Sequence, residues 1–186
     1  LMSDTLVAGK VTISPAQFVQ VKYDAAEIAA LVTGLAEQLG VSNPIELTID
    51  ETTPLAKIVS ELDALSSDAV IRIAAQSGAL ENTKMLTTLG PVQTKVAVGR
   101  MLLRARDRLR GDFVDAPTDG DLTREENAAW DTYCAGRLLR AGYEIHEQRW
   151  RYNYRNRFGF SDAVDTEFDR LWVADDLGWA SLFPGT

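Results

Sequence analysis

The side chains of this chain that could do chemistry are mostly guanidinium and carboxylate groups. Fourteen arginines and 27 acidic residues stand against a single histidine, His146, and a single cysteine, Cys134. Counted by segment, the formal charge is −5 over residues 1–99, +4 over 100–110, −6 over 111–136, +4 over 137–157 and −5 over 158–186, for a net of −8. The positive charge is therefore confined to two blocks. In the first, Arg100, Arg104 and Arg108 recur every four residues and share one ridge of a helix. In the second, Arg149, Arg151, Arg155 and Arg157 interleave with Trp150, Tyr152 and Tyr154. Guanidinium forks grip phosphates or carboxylates at two points and aromatic faces stack on bases, so this composition can bind an anionic ligand or partner. The same arginines can instead pair with the acidic stretches beside them, Asp112 to Asp121 and Asp162 to Asp169, while the aromatics fill the core. Opposite blocks adjacent in sequence favour that internal pairing.

Other chemistries find less support. A zinc site needs three or four nitrogen, sulfur or carboxylate ligands, and one histidine with one cysteine cannot supply it alone. His146-Glu147 opens like a metalloprotease motif, but Trp150 stands where the second histidine belongs, so a surface histidine is expected. The loop from Asp115 to Glu126 is the best oxygen-ligand candidate, with Asp115, Asp119 and Glu126 at the first, fifth and twelfth positions of a calcium loop. Pro117 breaks that pattern at the third position, and a capping box already explains Thr123 and Glu126. Cys134 lies on a helix face expected to be buried, where a thiol is inert. Ser77-Gly78 lacks a nucleophile elbow, and Gly34, Gly40, Gly78, Gly90 and Gly99 are scattered singly rather than forming a phosphate loop. Asp50-Glu51 reads as a strand end in a polar turn. Asp162, Asp165 and Asp169 share a helical face, either solvated or paired with arginines. No cofactor is indicated.

The elements that must position these residues follow from periodicity. Val11–Ile13 reads as a strand, and Val19, Val21 and Tyr23 alternate as a second strand over Phe18–Tyr23. Asp24 with Glu27 predicts a capping box opening a helix that carries Ile28, Leu31, Val32, Leu35 and Leu39 on one face and stops at Gly40. Ile45, Leu47 and Ile49 alternate with Glu46, Thr48 and Asp50 as a strand with one wet face. Leu55–Val59 and Ala69–Ala75 flank a turn and predict an antiparallel pair. Pro91 opens a long helix that carries Val98, Met101, Leu102, Ala105 and Leu109 on one face. Thr123 through Glu126 caps another, whose inward face is Trp130, Tyr133, Cys134, Arg137, Leu138 and Ala141, ending at Gly142. Residues 145–158 fit a strand or a helix, with helix favoured, and a last helix runs from about Asp162 to Val173. Leu177, Trp179, Leu182 and Phe183 pin the tail. The expected fold class is α+β: a small, mostly antiparallel sheet with one packed helix in the N-terminal half, then about four helices. A single domain is expected, with a subdomain seam at 111–122.

The stretches Asp50-Glu-Thr-Thr-Pro-Leu55, Gln76-Ser-Gly-Ala-Leu-Glu81 and Arg155-Asn-Arg-Phe-Gly-Phe160 resemble a family of proteins from GC-rich bacteria to which no activity is assigned, so no catalytic role transfers. The order of helix, short strands, long helix and further helix is also similar to that of small zincin-type metallopeptidases. On that likeness Val96-Ala-Val-Gly-Arg100 and Arg104 stand where such an enzyme keeps two histidines, which implies that the protease chemistry is gone. No membrane span and no secretory signal are expected, and a single cysteine favours a cytoplasmic location. The expected function is a non-enzymatic interaction or regulatory protein that meets an anionic ligand or protein partner through Arg149, Arg151, Arg155 and Arg157. The net negative charge disfavours nucleic acid without excluding it, and a homodimer is compatible. The alternatives are a carboxylate-based enzyme using a divalent ion near Asp115, Asp119 and Glu126, and a structural subunit with an apolar patch around Trp172, Trp179 and Phe183.

Overall fold

The computed structural model describes residues 4–183. The described chain divides into two compact units, 1–105 and 106–186, the division falling inside a long helix. The fold is α+β.

The first unit holds strands β1 (Leu6–Ala8), β2 (Val11–Ser14), β3 (Ile45–Asp50), β4 (Ile58–Leu62) and β5 (Ile71–Gln76), with helix α1 (Ala25–Gln38) between β2 and β3. The strands lie in the order β1-β2-β3-β5-β4. Both outer pairs are antiparallel, as expected for β5 and the strand before it, although that strand is Ile58–Leu62 rather than Leu55–Val59, but β2 with β3 and β3 with β5 run parallel. The centre thus departs from the mostly antiparallel sheet expected from sequence. The reason is the β2–α1–β3 crossover, because a helix between two paired strands returns the chain in the same direction. Along β3 the alternation sends Ile45, Leu47 and Ile49 into the core and leaves Glu46, Thr48 and Asp50 outside. Neighbouring Ile13, Ile71 and Ile73 are buried in register with them. The α1 stripe of Ile28, Val32 and Leu35 is buried as well.

Two local expectations are corrected. Residues 18–23 form no strand: Val19 is exposed, and its amide and that of Gln20 are both taken by the Glu51 carboxylate at 2.9 Å. A side chain that occupies these donors takes the backbone out of any ladder. Asp24 caps α1 by accepting from Ala26 at 2.8 Å rather than from Glu27. At the other end Gly40 adopts φ +68°, the left-handed stop that a glycine reaches without strain.

The long helix α2 (Pro91–Leu109) starts at its proline, as expected, and buries Val98, Met101, Leu102 and Ala105. The second unit holds α3 (Arg124–Arg140), α4 (Glu147–Phe158) and α5 (Asp162–Val173), so the region left open between strand and helix is a helix. Thr123 and Glu126 form the full capping box of α3. α3 packs against both α4 and α5. It approaches α5 tightly at Gly136, where a Cβ would lie 2.0 Å from the Trp172 carbonyl oxygen. The tail is pinned as expected, with Trp179 against Trp130 and Phe113 and with Leu182 buried. Trp172 is buried too, so the exposed apolar patch proposed around Trp172, Trp179 and Phe183 does not form. Among the described residues no helix is long and apolar enough to cross a membrane.

Candidate anion-binding cleft

α4 is the most polar helix of the second unit, and Tyr154 is its one buried residue. Apolar burial alone cannot seat such a helix, so its two long faces are held differently. Glu147, Arg151 and Arg155 recur every four residues and turn toward α5. Arg151 donates to Asp169 and to Glu147 and lies 4.4 Å over the Phe168 ring. Arg155 grips Asp165 at two points, both at 2.7 Å. Those hydrogen bonds hold the Asp165 carboxyl below its ordinary value. Arg151 stays protonated against the burial that opposes its charge, because Asp169 and Glu147 bond to it. Beneath this seam Tyr154 packs on Phe158 and Phe168, and burial first, then Glu167, pushes its phenol up to about 12.

The internal pairing therefore accounts for Arg151 and Arg155, and the expected solvated or paired face of α5 is a paired one. The first basic block behaves in the same way at its C-terminal end. Arg108 bonds Asp119 at 2.9 Å and the Pro117 carbonyl at 2.8 Å, and stands 4.8 Å over Trp130. Arg104 is buried, and it and Arg100 belong to the first unit. Beside Arg108 lies a pair that the charge blocks conceal. Asp107, fully buried, accepts two bonds of 2.8 Å from buried Arg137 and one of 2.9 Å from the Trp130 indole. Arg137 also stacks 3.7 Å over Tyr133 and donates to the Cys134 thiol. Cys134 is buried, as expected, and His146 is a surface residue near Glu144.

The carboxylates of the calcium-loop candidate are used otherwise. Asp119 holds Arg108, Glu126 accepts from the Thr123 amide at 2.8 Å, and Asp115 is exposed in a turn. Among the described residues no group of three His, Cys, Asp or Glu side chains is placed to hold a metal ion.

The other long face of α4 meets α3. Trp150, Asn153, Tyr154 and Arg157 on α4, with Arg124, Asn127, Asp131 and Thr132 on α3, line an open cleft of about 270 Å³. Three of the expected site residues, Trp150, Tyr154 and Arg157, are thus brought together with partners that the sequence reading passed over. Arg124 is the lone base in the acidic segment 111–136, so a charge count hides it. Its signal is helical phase, because Arg124, Asn127 and Asp131 fall at i, i+3 and i+7 on the polar side of a helix whose other side is Trp130, Tyr133 and Cys134. Arg124 and Arg157 are exposed and have no carboxylate partner among the described residues, whereas Arg108, Arg110, Arg137, Arg140, Arg151, Arg155 and Arg170 of the same unit each hold one. Arg149 is likewise exposed without such a partner, but it does not line the cleft, and Tyr152 stands outside it against Phe160. The first unit has a larger hollow of about 540 Å³ near the β1–β2 turn, but its lysine, Lys10, is turned onto the Ser42 carbonyl.

No known protein family, no characterised protein and no solved structure matches this chain.

Proposed function

We propose that this protein is a cytoplasmic, non-enzymatic recognition or regulatory protein that binds an anionic ligand in the α3–α4 cleft, with Arg124 and Arg157 as the gripping groups. One observation carries the reading: two guanidinium groups line one cleft and neither holds a carboxylate partner among the described residues, in a unit where internal acids take up most other arginines. Like charges gathered on a surface are relieved by an anion, and guanidinium forks bind planar or tetrahedral oxyanions at two points. Because both groups are exposed, binding weakens as salt rises. Calorimetric titration with inorganic pyrophosphate at low and at high salt tests it. The wild type is expected to bind at low salt, and Arg124→Gln and Arg157→Gln are each expected to lose about tenfold or more in affinity with an unchanged thermal midpoint. No heat at low salt, or variants that bind like the wild type, would refute the reading.

A second reading, a zincin-like fold without its metal ligands, is supported by the order of α1, β3, β4, β5 and α2. Val96-Ala-Val-Gly-Arg100 and Arg104 on α2 would then stand where the two metal-binding histidines belong. The divalent-ion version of the carboxylate enzyme has no group of three ligating side chains among the described residues to support it.

A further inference from the structure

We infer that the hollow of the first unit binds an amphipathic organic cation, with its apolar body against Val11, Ala36 and Ile45 and its ammonium at Glu37. This site does not depend on the anion-binding reading, which concerns the second unit. The hollow exists because small residues meet where the chain turns. Gly9, at φ +59°, makes the turn between β1 and β2, and Gly40, at φ +68°, ends α1. Neither has an atom within 4 Å of where a Cβ would stand, so both border open space. Ala8 on β1 and Ala36 on α1 add only methyl groups to the lining. Backbone bonds fix the walls: the Ile45 amide donates to the Lys10 carbonyl at 2.9 Å, and the Val41 amide to the Ala36 carbonyl at 2.8 Å. The result is a space of about 540 Å³ with Val11, Ala36 and Ile45 buried in its lining. Small-molecule sites of this kind span about 300–1,000 Å³ and combine an apolar wall with a few polar groups.

Three polar side chains of the lining are already committed. Lys10 donates to the Ser42 carbonyl at 2.8 Å, Thr33 to the Ala29 carbonyl at 2.8 Å, and buried Asn43 to the Ala69 carbonyl at 2.9 Å. Glu37 differs. It is exposed at the rim, and its carboxylate holds no hydrogen bond or ion pair among the described residues. It stands in the last turn of α1, which carries no basic residue, so its charge adds to the negative end of the helix dipole. The rim therefore suits a cation and the space beside it an apolar body. A fatty acid would add its carboxylate to a rim that already holds Glu37 and the helix end, and the one lysine of the lining is bonded to a carbonyl. A small inorganic cation would leave the apolar wall wet. A primary amine on a hydrocarbon or aromatic body uses both features, and the charge of −5 over residues 1–99 favours its approach over that of an anion.

The test is calorimetric titration of the full chain with tryptamine, with tryptophol, which has a hydroxyl in place of the ammonium, and with the anion indolepropionate. Tryptamine is expected to bind about two- to fivefold more tightly than tryptophol, the factor an exposed ion pair contributes, and indolepropionate more weakly than either. Glu37→Gln, a change at an exposed position, is expected to erase the preference for tryptamine while leaving tryptophol binding as it was. Ala8→Leu fills the hollow from an exposed strand position and is expected to weaken tryptamine about tenfold or more. Should that variant fold poorly, Glu37→Gln alone decides. Equal affinity for tryptamine and tryptophol in the wild type, or a preference that survives Glu37→Gln, would overturn the assignment of the ammonium to Glu37. Tightest binding of indolepropionate, no binding of any of the three, or tryptamine binding untouched in a folded Ala8→Leu would overturn the site itself.

Discussion

Replacing Asp107 by asparagine isolates the buried ion pair of the second unit. Arg137 is 6% exposed, and its two terminal nitrogens both end on Asp107 at 2.8 Å. Asparagine keeps the shape but removes the counter-charge and turns an N–H₂ toward a donor, so one buried cation is left without compensation. Breaking a buried pair by removing one partner costs about 3–5 kcal/mol, far above the exposed pairs of the same unit. The Arg140–Asp175 pair, with its aspartate side chain 70% exposed, is worth about 0–1 kcal/mol by comparison. For a chain of this length such a loss lowers the thermal midpoint by roughly 6–20 °C. Urea unfolding followed by tryptophan fluorescence reads the change directly, because Trp130 donates to the same carboxylate. Asp107→Leu combined with Arg137→Met removes both charges at similar volume and is expected to recover most of the stability. A loss below about 1 kcal/mol in Asp107→Asn would show that water or another group compensates Arg137, and the reasoning would fail.

Two further changes test the packing and the seam. Gly136→Ala places a methyl 2.0 Å from the Trp172 carbonyl, a backbone atom that can move only if α5 moves with it. Although alanine favours the helix by about 1 kcal/mol, a net loss of about 1–3 kcal/mol is expected from the forced separation, and a urea midpoint at or above the wild-type value would contradict it. Asp165 tests the α4–α5 seam by pH. Its folded carboxyl sits below the ordinary aspartate value, near 3.9, because Arg155 bonds to it. Its stabilising contribution is therefore complete above that value and is lost as pH falls through the lowered one. The urea-midpoint gap between the wild type and Asp165→Asn should close on acidification from about pH 6 to pH 2; a gap that stays constant would remove Asp165 from the seam.

The parts of this fold legible in sequence are those decided within one or two turns of chain. Thr123 with Glu126 and the left-handed Gly40 and Gly142 set their helix ends locally. The direction of the central strands was also written in the chain, as a strand, a helix and a strand. It was obscured because Phe18–Tyr23 alternates like a strand and stood in front of α1. What defeats that alternation is Glu51, 31 residues away from Gln20, whose carboxylate occupies the amides a ladder would use. Such a contact has no local signature. The acid partners of Arg151 and Arg155 could be named as a segment, since Asp162 to Asp169 shares a helical face, but not the choice of Asp165 and Asp169 within it, which depends on how two helices are phased.

The same limit explains why the cleft escaped a count of charges. Segment sums treat every arginine of a block alike, yet α4 rotates Arg151 and Arg155 toward α5 and Trp150 and Arg157 toward α3. What separates paired from unpaired arginines on α4 is therefore the direction each faces and not block membership. A buried guanidinium must carry its counter-ion with it, and Arg137 has Asp107; an exposed one is tolerated unpaired because water screens it. Unpaired arginines can persist at Arg124 and Arg157 only because the cleft is open, and for that reason any anion they hold must bind reversibly and give way to salt.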